Sequence, residues 1–325
     1  MREEALHTGG EVPAELPTMT IVIPTYNQKD YLRETIDSCL NQDYENLKLV
    51  VVDDCSTDGT EEMMKAYGGN HKVHYVRNKT NLGPGNNTHK LFYEYPDTQY
   101  AMVLNHDDYL VKTDYVTLAI KLLECHPQVA FVWANCYQKV QSTGAMRKTA
   151  HQLNPVTRGL DYFLGYELPI YPHITGFLTT VFRTEMLKHT DFGRENTKSK
   201  DSFFYLKLML QGDVGFIQAP VAVYRYHMES LSYNMPSDLD ASTIEAYVKL
   251  KNEVTAQKLF PEEKMAVWLN NRIFTYIYWR ITSLWDCGMH GEALDLLEGM
   301  TETYPGVHRE ILKRWNALRG TNRGV

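Results

Sequence analysis

Four polar clusters in this chain sit where an apolar run stops or starts, and their residue types can do chemistry. Asp107 and Asp108 follow the run Tyr100 to Leu104. Carboxylate oxygens there are hard ligands suited to Mg²⁺ or Mn²⁺, and such an ion would neutralise a diphosphate. The same pair can equally end a strand and cap the next turn. Asp53 and Asp54 close the run Leu47 to Val52. They can accept hydrogen bonds from a uracil ring N–H or a ribose hydroxyl. They can also serve only to shape the turn Ser56 to Thr60, in which Asp58 reads as a cap residue. Asp201, with Ser202 and the apolar run Phe203 to Leu210, starts a helix. His227 closes the segment Val221 to Tyr226, and a lone histidine near a strand end is commonly structural.

The elements that must position these groups follow from apolar periodicity. Met19 to Ile23, Leu47 to Val52, Val73 to Val76 and Tyr100 to Leu104 read as short buried strands. Leu32, Ile36, Cys39 and Leu40 fall at helical spacing, and Met63, Met64 and Tyr67 mark a second helix after the Thr57 to Thr60 turn. Asn78 to Asn87 reads as a loop that can be a flexible connection. Alternating strands and helices predict an α/β fold, a doubly wound parallel sheet whose ligand lies beyond the carboxyl ends of its strands. Three of those ends carry polar residues: Thr25 to Asn27, Asp53-Asp54 and Asn105 to Asp108. Further along, Val116, Ile120 and Leu123 predict a helix, and Val129 to Trp133, Phe177 to Phe182 and Val221 to Tyr226 predict strands. Residues 139 to 171 read as irregular, and residues 241 to 318 read as helical throughout. Gly291 to Pro305 resembles half of a tetratricopeptide unit, or a generic helical hairpin. The expected organisation is a polar tail over 1–17, an α/β domain over 18–235 and a helical domain over 236–325.

The chain carries 33 basic and 40 acidic residues, a formal charge of −7, which argues against nucleic-acid binding. Basic residues gather near the end (Arg309, Lys313, Arg314, Arg319, Arg323), as a solvated helix face or a contact for a membrane surface. The five cysteines show no metal-ligand spacing and read as reduced thiols. Met1 to Thr18 is too polar for a signal peptide, and no apolar run approaches the roughly 18 residues of a membrane span. The expectation is a cytoplasmic protein, with peripheral contact at the inner membrane face and a homodimer through the C-terminal helices as further options.

In order and spacing, Thr20 to Asn27, Val51 to Thr60, Asn81 to Gly83 and Leu104 to Asp108 resemble the family 2 glycosyltransferases of GT-A fold. Lys200-Asp201 and Tyr224 to His227, with Ser230 and Ser232, continue the resemblance, which covers residues 18 to 233. It implies a Rossmann-like GT-A domain, here followed by a helical C-terminal region, and an inverting, metal-dependent enzyme that uses a nucleotide sugar. The donor would be a UDP- or other nucleoside-diphosphate sugar, and the acceptor a glycan, a lipid-linked glycan or a protein side chain. By resemblance Pro24, Thr25, Tyr26 and Asn27 line the nucleotide pocket, and Asp54 accepts the base N–H with Asp53 beside it. Asn81, Gly83, Asn105 and His106 also belong to the nucleotide-sugar site. Asp107 matches the last carboxylate of the family's DxD motif and would hold Mn²⁺ or Mg²⁺, with His227 as a second ligand or a phosphate contact. Asp201 matches the general base that deprotonates the acceptor.

Two positions depart from the family pattern. Asn105 replaces the first carboxylate of the motif, making one sugar or ribose contact neutral while Asp107 and Asp108 remain to bind metal. Lys200 stands where glutamate is common, and a cation beside Asp201 is expected to lower its basicity. Both favour a second reading, a degenerate GT-A domain that binds nucleotide sugars or scaffolds a partner. A nucleotidyltransferase would need a glycine-rich basic loop after the first strand, which Pro24 to Asn27 is not. Tyr162, Phe163, Tyr166, Tyr171, Trp279 and Trp285 can stack on an acceptor sugar or pack a core.

Overall fold

The computed structural model describes residues 17–83, 88–193, 197–227 and 239–321. The chain divides into two compact units, residues 1–194 with 199–228, and residues 195–198 with 229–325. Ser230, Ser232, Arg323 and most of the polar tail lie outside the described residues.

The first unit opens with β1 (Met19–Thr25), α1 (Lys29–Leu40), β2 (Leu47–Asp53), α2 (Thr60–Met64), β3 (Val73–Arg77) and β4 (Tyr100–Val103). β1 pairs in parallel with β2 on one side and β4 on the other, and β2 pairs in parallel with β3. Met19, Ile21, Val22, Ile23, Leu49, Val51 and Met102 are buried, so both faces of this half-sheet are covered. That is why these strands read as continuous apolar runs rather than alternating ones. Leu32, Ile36 and Cys39 of α1 pack into the same core. Asp58 ties the two entering helices: its Oδ2 accepts the Lys29 N–H (2.9 Å) and its Oδ1 the Thr60 N–H (3.1 Å). The cap expected from sequence therefore serves two helix starts at once.

The second half of the sheet differs from the purely parallel expectation. It contains β5 (Tyr109–Leu110), α3 (Tyr115–Cys125), β6 (Val129–Val140), β7 (Met146–Lys148), β8 (Val156–Thr157) and α4 (Gly159–Gly165). Then follow β9 (Val181–Arg183), α5 (Thr184–Lys188), α6 (Lys200–Met209) and β10 (Asp213–Tyr226). The strand order is β3-β2-β1-β4-β9-β6-β10-β5. β9 runs antiparallel to both β4 and β6, so the sheet is mixed. The stretch read as irregular holds β7, β8 and α4. β10 is longer than expected because its register shifts on either side of Pro220, which cannot donate to a regular ladder. Read from sequence, that proline hides the continuity of the strand. On one face Phe92, Phe182, Phe192 and Phe204 pack edge to face or tilted at 5.0–6.1 Å. This aromatic core fixes α6, in which every side chain from Ser202 to Met209 is buried.

The second unit holds α7 (Leu239–Ala256), α8 (Glu262–Asp286), α9 (His290–Thr303) and α10 (Pro305–Thr321). Gly291 to Thr303, most of the repeat-like stretch, forms part of α9. Buried Asp240 accepts Lys198 Nζ (3.1 Å), Arg280 Nε (3.0 Å) and the Tyr276 hydroxyl. Two cations share one carboxylate, so losing Asp240 would strand buried charge, a cost of about 3–5 kcal/mol. Trp285 stacks on His290 and meets Trp315 edge-on at 5.0 Å, while Trp279 is exposed. Arg314 pairs with Glu310 (3.0 Å) and lies over Phe274 (4.6 Å). No helix among the described residues is long and apolar enough to cross a membrane.

α4 and α6 meet where Gly159 has no room for a side chain. A Cβ there would stand 1.9 Å from the Gly212 carbonyl oxygen and 2.4 Å from that of Met209. Both neighbours are backbone and cannot rotate away. Gly159→Ala is expected to destabilise the protein by about 3 kcal/mol, the upper end for overpacking, read as a lowered urea midpoint. An unchanged midpoint would contradict this packing.

Candidate active site

The carboxyl ends of β1, β2 and β4 are joined by direct bonds. The Asp54 N–H donates to the Thr25 carbonyl (2.9 Å), and the Leu104 N–H to the Val22 carbonyl (3.0 Å). His106 Nδ1 donates to the Pro24 carbonyl at 3.0 Å. That bond fixes the ring's tautomer, and burial lowers the proton affinity of His106. Pro24, Thr25, Tyr26, Asn27, Asp53, Asp54, Asn105, His106 and Asp107 thus lie at or just beyond the carboxyl ends of β1, β2 and β4. Tyr26 is exposed, and the Thr25 hydroxyl is buried with no hydrogen-bond partner.

The two carboxylates after β2 face inward rather than out. Asp53 is fully buried; it accepts the Ser56 N–H (2.8 Å) and the Tyr75 hydroxyl (2.5 Å), with Arg77 Nε 3.5 Å away. Asp54 accepts Asn78 Nδ2 (2.8 Å) and the N–H of Leu82 (2.9 Å) on Oδ1, and the N–H of Gly83 (2.9 Å) on Oδ2. Its charge thereby folds the 78–83 loop against the site. The loop is not a slack connection. Asn81 Oδ1 takes a second bond from the Gly83 N–H (2.8 Å), and Gly83 has the positive φ of 75° that favours glycine. Asn27 also has positive φ, 52°, and its Oδ1 accepts the Thr57 N–H (2.7 Å).

Asp107 and Asp108 part company. Asp108 is buried and accepts the Arg225 N–H (3.1 Å). Burial and the neighbouring Asp107 raise its proton affinity. Its carboxylate is turned to the backbone of β10, whereas the neighbouring Asp107 meets a side chain. Asp107 Oδ2 lies 2.8 Å from His227 Nε2, which joins the ends of β4 and β10. Arg225 locks this arrangement. Its guanidinium donates to the Asp107 carbonyl and to Glu34, and it lies over the rings of Tyr109 (4.3 Å) and Tyr31 (5.0 Å). Thr35 of α1 donates to the carbonyls of His106 and Asp108, each at 2.7 Å.

Asp201 lies in the first turn of α6, where Ser199 rather than Asp201 is the cap. Its Oδ1 accepts the Ser202 N–H (2.9 Å). Burial pushes its carboxyl above the usual range, opposed by His173 and the Ser202 N–H and reinforced by Glu167. Burial outweighs the lowering of Asp201 basicity that the sequence reading expects from Lys200. The Lys200 ammonium reaches Thr88 (3.1 Å), because neighbouring residues on a helix point in different directions. Of the aromatics proposed for an acceptor, Tyr162, Phe163 and Tyr166 are buried in the core. The sequence reading missed Arg225 and Glu34 as a locking pair, and Glu167 as the partner of His173 and Ser202. An arginine inside an apolar strand, Tyr224 to Tyr226, was a signal available for the first.

The profile of glycosyl transferase family 2 matches residues 20–228, and the chain belongs to that family. It is 25% identical over 229 residues to the poly(ribitol-phosphate) β-N-acetylglucosaminyltransferase TarS of Staphylococcus aureus. That match takes in 67% of this chain, which spans only 38% of the length of TarS. Abequosyltransferase RfbV of Salmonella typhimurium is 36% identical over 104 residues, 31% of each chain. Among solved structures, S. aureus TarS 1–349 with UDP-GlcNAc superposes with a TM-score of 0.62 at 17% identity, covering 82% of this chain and 81% of that one. Mannosyltransferase PcManGT from Pyrobaculum calidifontis, with GDP-Man and Mn²⁺, gives 0.51 at 16% identity, covering 96% and 84%. The fold is of GT-A type, a mixed α/β sheet followed by the helices α7–α10.

Asp53→Ala would leave the buried Ser56 N–H and the half-buried Tyr75 hydroxyl without their acceptor. A loss of about 3 kcal/mol in unfolding free energy is expected, at about 1–3 kcal/mol for each orphaned group. A variant as stable as the parent in urea would show that Asp53 does not hold the turn.

Proposed function

We propose that the protein is an inverting glycosyltransferase that moves a sugar from a nucleoside-diphosphate donor, UDP-linked by preference, to an acceptor hydroxyl. The observation that carries this reading is the convergence of the β1, β2 and β4 ends with His227 on one side of the sheet. Pro24, Thr25, Tyr26 and Asn27 would line the nucleotide pocket, and the unpartnered Thr25 hydroxyl offers a polar contact there. Asp54 acts mainly by folding the Asn81 to Gly83 loop that borders the base, keeping whatever acceptor capacity the loop leaves. Asn105 and His106 flank the sugar side. The acceptor oxygen attacks the anomeric carbon, the bond to the phosphate oxygen breaks, and the nucleoside diphosphate leaves with the electron pair. The acceptor proton passes to Asp201, whose burial raises its proton affinity above that of an ordinary carboxylate.

Asp107 and His227 fit a divalent ion in donor type, one hard oxygen and one imidazole nitrogen 2.8 Å apart. Among the described residues no group of three His, Cys, Asp or Glu side chains could hold an ion. The donor's phosphate oxygens and water would therefore complete its shell. Bound there, Mn²⁺ or Mg²⁺ would supply charge neutralisation to the departing diphosphate. PcManGT, similar in fold, is solved with Mn²⁺ and GDP-Man, which supports the ion. TarS is named for poly(ribitol-phosphate) and solved with UDP-GlcNAc, which supports a UDP-sugar donor and a glycoconjugate acceptor. A cytoplasmic location belongs to the same reading.

Asp107→Ala is expected to raise the donor KM at least tenfold and to remove the response to added Mn²⁺. Asp108→Asn should leave both within about twofold, since an amide oxygen can still accept the Arg225 N–H. Asp201→Asn should cost about a thousandfold in kcat with little change in donor affinity. Steady-state kinetics over a panel of nucleotide sugars, with and without acceptor, measure all three. A donor that binds but is neither transferred nor hydrolysed would favour the degenerate binding module, for which Asn105 is the motivating residue.

A further inference from the structure

The helical unit includes a short strap of chain from the middle of the sequence. Thr197 and Lys198 belong to it, and Ser199 returns the chain to the sheet unit. Asp201 follows within three residues of that crossing. No loop intervenes. α6 begins at Lys200, and the Ser199 carbonyl accepts the Phe203 N–H (3.0 Å) that closes its first turn.

We propose that Lys198 is a positioning residue for Asp201. The helices α7 and α8 clamp the strap through it, and the clamped strap fixes the first turn of α6, where the base stands. The inference rests on Asp201 being the base; the clamp itself does not.

The clamp grips both the side chain and the backbone of the strap. The Lys198 ammonium, on a fully buried side chain, donates to Asp240 Oδ2 (3.1 Å). Asp240 Oδ1 takes Arg280 Nε (3.0 Å), so one carboxylate of α7 joins the strap to α8. Thr243 lies one turn further along α7, on the same face as Asp240. Its Oγ1 accepts the Lys198 N–H (3.1 Å) and the Thr197 hydroxyl (3.0 Å). Thr197, Lys198, Asp240 and Thr243 are all buried. A buried ammonium is costly away from its counter-charge, so the ion pair admits few positions of the strap.

Two features carry this constraint to Asp201. Only three Cα–Cα steps of about 3.8 Å separate it from Lys198, too short a span to absorb movement. The body of α6 is held by Phe204 in the aromatic core, whereas the first turn of a helix lacks intrahelical acceptors for its N–H groups. The strap steadies the end that helix bonding leaves weakest. A catalytic group about 1 Å out of place can cost about a hundredfold in rate. The helical unit thereby takes part in the reaction, although Asp201 belongs to the sheet unit.

Two substitutions in the full chain each remove one cation from the same carboxylate. Lys198→Met takes it from the strap and leaves Asp240 with Arg280; Arg280→Met takes it from α8 and leaves Asp240 with Lys198. Both should lower the urea midpoint. Only Lys198→Met should also lower kcat, by about tenfold or more, with the donor KM within about twofold. Arg280→Met should keep both constants within about twofold. Thr243→Val keeps the side-chain shape, removes the acceptor of two strap bonds and strands no charge, so it tests the clamp if Lys198→Met folds poorly. It should follow Lys198→Met in kcat. Hydrogen exchange without substrate reads the same contrast. The Ser202 and Phe203 amides should exchange about tenfold faster in both strap variants and keep their rate in Arg280→Met. Equal kcat and exchange in the two cation variants, or a Thr243→Val protein with parental values, would overturn the proposal. A wild-type protein that transfers no sugar overturns the reading of Asp201 as base instead, and the exchange rates still decide the clamp.

Discussion

Parallel pairing of β1 with β2 and β4 is the constraint on which the rest of the molecule depends. It brings the ends of β2 and β4, far apart in the chain, to either side of β1. Bonds from Asp54 to Thr25 and from His106 to Pro24 then hold the following turns in register. Without that pairing Asp54 and Asp107 are unrelated carboxylates on two loops. With it they follow neighbouring strand ends on either side of β1, and β10 brings His227 to Asp107.

Burying so many carboxylates is costly, and each is compensated by a specific donor set. Asp53 has Ser56, Tyr75 and Arg77; Asp54 has the 78–83 loop; Asp108 has the Arg225 backbone. Those three shape the site. Asp107 and Asp201 differ. Asp107 is left against a histidine, and Asp201 receives the Ser202 N–H at 2.9 Å.

Much of this could be read from the sequence, for identifiable reasons. The first half consists of fully buried parallel strands, whose unbroken apolar runs are unmistakable, and each ends in residues with polar side chains. The family resemblance placed Asp107, Asp201 and His227 from local motifs. The antiparallel β9 and the full length of β10 were hidden, because β9 is three residues long and Pro220 looks like a strand end. The direction in which each carboxylate points was also hidden. Asp107 and Asp108 are adjacent and identical in type, and only the Arg225 backbone decides which turns inward. Likewise Lys200 adjoins Asp201 in sequence, yet its ammonium reaches Thr88, which only the fold reveals.

Diffraction at the manganese absorption edge, from crystals grown with UDP and Mn²⁺, reports most directly on the central arrangement. A single strong anomalous peak is expected within bonding distance of both Asp107 and His227, with the diphosphate against it and the uracil near the 78–83 loop. Nucleotide bound with the ion elsewhere, or bound away from the β1 end, would contradict it.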